Sequence, residues 1–166
     1  MAQIATALLP ATALEVISEI YKTSLVEPNH TPRSIESLTA TAARGDLVIL
    51  EQNGTLAGWG IREDLTRELK EVGLMFIKPE FRSASTFIAL ARELSNVPVA
   101  LILATYDEAL IRQAVLEFGF REATLLQVIL RSRGRFLTKR LNRTSRRAVA
   151  EHTRNAKPLF AIRESN

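Results

Sequence analysis

The apolar positions Leu14, Ile17, Ile20 and Tyr21 recur at helical spacing and predict a helix over Ala11–Tyr21. Gln3–Leu9 before it reads as a short opening strand, ended by Pro10. After a loop at Glu27–His30, Thr31 is a good N-cap and Pro32 suits a first helical position. They predict a second helix to about Ala43, closed by Gly45. Leu47–Gln52 and Thr55–Glu63 are strand-like runs joined by Asn53-Gly54, a strong hairpin signal. Leu65–Leu69 is a polar connection, and Lys70–Ile77 reads as another strand, closed by Pro79. Ser85–Leu94 is a helix, and the apolar run Val97–Thr105 reads as a buried strand. Asp107 caps a helix to Phe118, which Gly119 ends, and Leu125–Arg131 reads as the last strand. This order predicts an α/β fold with a mixed, mostly antiparallel sheet flanked by helices. Hairpins come first, then a strand–helix–strand crossover.

The 166 residues suit one domain, and a 46% hydrophobic content is ordinary for a folded chain. With no cysteine there is no disulfide, thiolate metal site or cysteine nucleophile, so any side-chain nucleophile must be Ser, Thr or Lys. The opening MAQIATALLPATALEV has no basic residue and is interrupted by Pro10, unlike a secretory or transit peptide. No run approaches the about 18 apolar residues of a membrane span. The expected compartment is the cytoplasm. His30 and His152 stand apart without metal-ligand spacing, and there is no Gly-x-Ser-x-Gly, phosphate-binding Walker loop or dinucleotide fingerprint.

Two stretches carry chemistry. Val72-Gly-Leu-Met-Phe-Ile-Lys-Pro-Glu-Phe-Arg82 resembles the fourth strand and following turn of the GNAT superfamily of acyl-CoA N-acyltransferases. Phe118-Gly-Phe120 resembles the Leu-Gly-Phe that ends the helix after that family's fifth strand. The resemblance covers about residues 3–131. It implies acetyl-CoA as cofactor, in the cleft between strands four and five. Backbone at Met75 and Ile77 would hold the pantetheine arm, and Arg82, Ser83, Ala84, Ser85 and Thr86 the pyrophosphate at a helix N-terminus. Ser85 stands where the family has its first glycine, and Phe87 where it has a small Gly or Ala. Ser85 is a mild departure, whereas Phe87 either fills cofactor space or belongs to the helix's apolar stripe with Leu90 and Ala91. Gly73 is a candidate for the bulge at which strands four and five splay.

The same resemblance makes Glu71 a candidate general base, against a plain reading as a solvated strand-end carboxylate beside Lys70. The family's usual tyrosine acid is replaced by Val115 and an upstream Asn by Glu108, which leaves Tyr106, after strand five, as the nearest substitute acid. Trp59, between Gly58 and Gly60, reads as an aromatic packed on the sheet, with glycines that admit a ligand or a neighbouring backbone.

Charge divides the chain. Residues 1–130 hold 11 Lys/Arg against 16 Asp/Glu, and residues 131–166 hold 11 against 2. The sequence therefore divides into a GNAT-like domain at 1–131 and a basic extension at 132–166, in which Ser145 caps a short helix. Clustered Lys/Arg bind polyanions by releasing counterions. Two functions are carried forward. One is acetyl transfer to a primary amine on a small molecule or protein. The alternative is a catalytically decayed scaffold that contacts nucleic acid or a nucleoprotein through residues 131–166.

Overall fold

Asn53 and Gly54 take φ values of 53° and 73°, the left-handed pair that a tight primed hairpin turn requires. In the computed structural model, which describes residues 2–5, 10–26, 33–140 and 157–165, this turn joins β2 (Leu47–Gln52) to β3 (Thr55–Thr66). Ahead of it lie β1 (Ala2–Ala5), α1 (Pro10–Val26) and α2 (Ile35–Ala43). After it come β4 (Leu69–Ile77), a 3-10 turn (Pro79–Phe81), α3 (Ala84–Ser95), β5 (Ala100–Thr105) and α4 (Glu108–Phe118). The chain then forms β6 (Arg121–Ala123), α5 (Leu125–Arg131), α6 (Arg135–Arg140) and β7 (Leu159–Arg163). The strand order is β1-β2-β3-β4-β5-β7-β6. β4 and β5 are parallel, joined through α3 as the crossover pattern predicts, while β1–β2, β2–β3, β5–β7 and β6–β7 are antiparallel.

Two compact units make up the chain. The first contains Met1–Arg62 and Gly73–Asn96. Its core is the helical stripe Val16, Ile17 and Ile20 of α1 and Leu38 of α2, set against Leu47, Ile49, Trp59 and Ile61 of the hairpin. Trp59 is fully buried and its ring lies 4.7 Å from that of Phe76, so it packs as its setting predicts. Buried Arg62 ties loop, strand and helix together: Nε pairs with Asp46 at 3.3 Å, and Nη2 and Nη1 donate to Gly45 O at 2.6 Å and Glu93 O at 3.1 Å.

The glycines beside Trp59 admit neighbours from within this unit. A Cβ on Gly58 would lie 2.6 Å from the backbone oxygen of Phe76, and one on Gly60 would lie 2.5 Å from Leu94 Cδ1. A strand carbonyl cannot retreat, whereas a leucine tip can rotate. Gly58→Ala should therefore cost about 2–3 kcal/mol and Gly60→Ala about 1 kcal/mol. Urea titration of the two variants checks the order, and a larger loss at Gly60 would contradict it.

The second unit contains Glu63–Val72 and Val97–Asn166. Its core joins Leu65 and Leu69 to Ala100 and Ile102 of β5, Val128 of α5, Phe136 of α6, and Phe160 and Ile162 of β7. Asp107 caps α4, accepting from the N–H groups of Ala109 and Leu110, and Gly119 ends it at φ 69°.

Three expectations are corrected. Leu125–Arg131 is helix, not strand: Thr124 and Gln127 form a capping box, and burial falls on Val128 rather than on alternate residues. The described residues after Arg131 are not an appendage. β7 lies between β5 and β6, with Ile102 opposite Ile162 and Glu122 opposite Ala161, so the proposed boundary at 131–132 cuts through one unit. Helix α2 starts at Ile35 with Ser34 as its cap, whose Oγ accepts from Ser37 N–H at 3.2 Å. Thr31, Pro32 and Ser145 lie outside the described residues.

Candidate functional site

Strand β4 changes character halfway along. Its parallel register with β5 pairs Leu69 through Val72 with Ala100 through Leu103. Beyond Val72 the backbone kinks: Leu74 has φ 48°, inside a strand. The left-handed residue is thus Leu74, not the neighbouring Gly73. A leucine there costs roughly 1–2 kcal/mol. Packing of Leu74 and Phe76 against the Trp59 core offsets it. After the kink, Lys78 N–H donates to Ala57 O of β3 at 2.9 Å. Backbone groups alternate along a strand, so those of Met75 and Ile77 point away from β3. Arg82 Nε occupies one acceptor there, donating to Ile77 O at 3.0 Å.

The turn at Pro79–Phe81 then delivers the chain into α3. Ser83 caps the helix: its Oγ accepts from Thr86 N–H at 3.1 Å. The N–H groups of Ala84 and Ser85, first and second in the helix, have no intrahelical acceptor and point ahead of its positive end. Ser83, Ala84 and Ser85 are exposed, whereas Thr86 is buried and turned inward, where its hydroxyl meets Ser83 Oγ at 2.7 Å and Gln52 Nε2 at 3.3 Å. Phe87 is half-buried and heads the stripe of Leu90, Ala91 and Leu94. Met75, Ile77 and Arg82–Thr86 all belong to the first unit.

Glu71 and Tyr106 belong to the second. Glu71 sits two residues after Leu69, on the same face of β4, and is only 8% exposed, so it is not the solvated strand-end group of the plain reading. It lies opposite Ile102. Tyr106, at 36% exposure, follows the end of β5. Four positions separate it from Ile102, or about 13 Å along an extended strand. The fold therefore does not bring these two groups together at one atom. On α4, Glu108 pairs with Arg112 at 2.6 Å on the exposed side, and Val115 is half-buried. Among the described residues no three His, Cys, Asp or Glu side chains cluster to hold a metal, and no helix is long and apolar enough to cross a membrane.

Gln52 went unnoticed in the sequence. It lies 34 residues from Thr86, at the end of β2, and nothing local signals that it reaches the start of α3. The basic residues from Arg131 on are also placed differently from expectation. Arg131 and Arg121 both bond Glu164, at 2.9 and 3.1 Å, and the Arg121 hydrogen bond, helped by Arg131, holds that carboxyl below its usual range. Arg135 donates to Leu65 O at 3.3 Å, and Lys139 pairs with Glu63 at 3.4 Å.

No family profile matches the sequence, and no curated protein matches it. Solved structures do. Rv2747 from Mycobacterium tuberculosis, crystallised with CoA and NLQ, aligns over 99% of both chains at TM-score 0.66 and 11% identity. A GNAT-family acetyltransferase from Bacillus cereus aligns over 100% of this chain and 99% of its own, at TM-score 0.59 and 13% identity. The ribosomal-protein-S18-alanine N-acetyltransferase from Escherichia coli aligns over 98% of this chain and 93% of its own, at TM-score 0.57 and 18% identity. Identities this low speak to the fold, and with the kinked fourth strand, the β4-α3-β5 crossover and the exposed start of α3, they establish that this chain has the GNAT acetyltransferase fold.

Proposed function

We propose that the protein is an N-acyltransferase that moves an acetyl group from acetyl-CoA to a primary amine. The observation that carries this reading is the start of α3, where two backbone N–H donors stand exposed at the positive end of a helix, directly after a strand whose backbone at Met75 and Ile77 faces away from β3. Those groups suit a pyrophosphate and an amide-bearing arm in turn. The Mycobacterium tuberculosis structure was crystallised with CoA, which supports a CoA-type cofactor for this fold in general.

In the proposed reaction a neutral amine attacks the thioester carbonyl carbon, the tetrahedral intermediate collapses, and the carbon–sulfur bond breaks to release the CoA thiolate. Glu71 removes the amine proton through an ordered water, a role its burial favours and its distance from Tyr106 requires. Tyr106 returns a proton to the thiolate. Acetyl rather than another acyl group, and the identity of the amine, belong to this proposal. The E. coli relative is named for a protein acceptor, which makes protein amines one class to try.

Acetyl-CoA should raise the melting temperature and give a single-site binding isotherm. Ser85→Glu places a negative charge against the phosphates and should weaken binding at least about tenfold, since a charge-assisted hydrogen bond is worth about 1.5–3 kcal/mol. No heat and no thermal shift at millimolar cofactor would refute the enzyme reading.

The second reading, a non-catalytic scaffold that binds nucleic acid or a nucleoprotein through residues 131–166, keeps three departures in its favour: Phe87 at the place of a small residue, Val115 at that of the usual tyrosine and Glu108 at that of an asparagine. Its basic surface is reduced, because Arg131, Arg135 and Lys139 already have partners within their own unit.

A further inference from the structure

Helix α5 places leucines where a surface helix ordinarily places polar groups. Its inward residue is Val128, fully buried in the core of the second unit. Leu126 and Leu130 each lie about 160° around the helix from Val128, on the side that faces solvent. They are 64% and 68% exposed, and Leu125 in the same first turn is 42% exposed. Leu126 and Leu130 are one turn apart and form a single patch. One exposed leucine needs no explanation, whereas three on one short helix mark a surface that meets something. The rim of this patch is basic. Arg131 closes the helix, and Arg133 follows it, its N–H on Leu130 O at 3.1 Å. Arg133 is exposed, and among the described residues its side chain has no ion-pair partner. Arg131 and Arg121 of β6 share the carboxylate of Glu164, at 2.9 and 3.1 Å, so one positive charge of that trio stays uncompensated. All of these residues belong to the second unit.

Leucines and arginines together narrow the occupant. A nucleic acid rewards the arginines but leaves the leucines in water. A second copy, meeting through the same patch on both molecules, sets arginines against arginines. An anionic bilayer surface takes both, since leucines enter the acyl boundary and guanidiniums meet the lipid phosphates. Leucines two-thirds exposed also stand proud of the surface, and lipid needs no matching hollow to receive them. We propose that the outer face of α5 is a peripheral docking site for an anionic lipid surface, into which Leu125, Leu126 and Leu130 insert while Arg121, Arg131 and Arg133 hold the headgroup phosphates. Neither signal anchors the protein alone, and the two act jointly. The site is independent of the acyltransferase reading.

Co-sedimentation of the full-length protein with lipid vesicles tests this. Vesicles of equal parts phosphatidylglycerol and phosphatidylcholine should bind it at least about tenfold more tightly than phosphatidylcholine alone, and added salt should weaken the binding. Leu126→Gln with Leu130→Gln should lower the partition onto the anionic vesicles at least about tenfold, because the apolar area that enters lipid is lost. Arg133→Gln should lower it about fivefold. Both leucines already face water, so the melting temperature of the leucine variant should stay within about 2 °C of the unaltered protein. A clear fall would mean that other residues of the chain cover the patch, and would overturn the proposal. No binding of the unaltered protein to the anionic vesicles would overturn it directly, and so would equal binding by the leucine variant, which would leave charge alone at work. A dimer in sedimentation velocity that the leucine variant dissociates would give the face to a second copy instead. Binding of a duplex oligonucleotide, with none to the vesicles, would give the arginines to nucleic acid and reject the lipid assignment.

Discussion

Ended at Arg131, the chain should lose its cooperative unfolding transition. The cut removes β7 from between β5 and β6, and with it Phe160, Ala161 and Ile162, at 9%, 0% and 1% exposure. It also removes Phe136, 1% exposed, whose ring meets Phe160 edge-on at 5.8 Å. Phe136, Phe160 and Ile162 are three members of the core of the second unit. Truncating one such side chain to alanine costs about 2–5 kcal/mol, so losing all three costs on the order of 10 kcal/mol. That equals the whole stability of an ordinary domain, about 5–15 kcal/mol. The edges of β5 and β6 would also lose their ladder partners. Circular dichroism during urea titration is the check, with Phe136→Ala as a milder variant expected to lose about 3–5 kcal/mol. A truncated protein with the midpoint of the full chain would show that β7 contributes nothing to the fold.

The second large effect is catalytic. Glu71→Gln keeps the size and burial of the side chain but removes its ability to take a proton. Under the acyltransferase reading, kcat should fall roughly 10²–10⁴-fold while affinity for acetyl-CoA stays within about twofold. A structural role alone would lower the melting temperature and leave the rate of the folded protein intact. An unchanged rate would remove Glu71 from the mechanism.

Much of the first unit was legible because its signals are local. Asn53-Gly54 can adopt two left-handed residues in a row at little cost, so the β2–β3 hairpin followed from two letters. In the second unit, Asp107 and Gly119 marked both ends of α4 by equally local signals. The stretch Val72–Arg82 placed β4, its turn and the start of α3 in order. By contrast, Leu125–Arg131 is a short apolar run that fits either period. Its capping residues Thr124 and Gln127 were present in the sequence and outweigh the run, since they supply partners for backbone groups that a strand would have paired elsewhere. Leu125, Leu126 and Leu130 stay exposed as a result, so apolar character did not report burial here.

By itself, then, the sequence determined the hairpin, the ends of α4, the crossover and the residues at the head of α3, because each depends on neighbours within a few positions. Only the tertiary structure decided that residues 159–163 belong inside the sheet, that a leucine rather than Gly73 takes the left-handed turn of β4, and that Gln52 reaches Thr86. These depend on partners tens of residues away. A charge-rich approach hid the first, since Leu159–Arg163 is too short to declare itself a strand until β5 and β6 offer it two open edges. The second needed the Trp59 core to hold a strained leucine in place. The third needed the end of β2 and the start of α3, 34 residues apart along the chain, to meet.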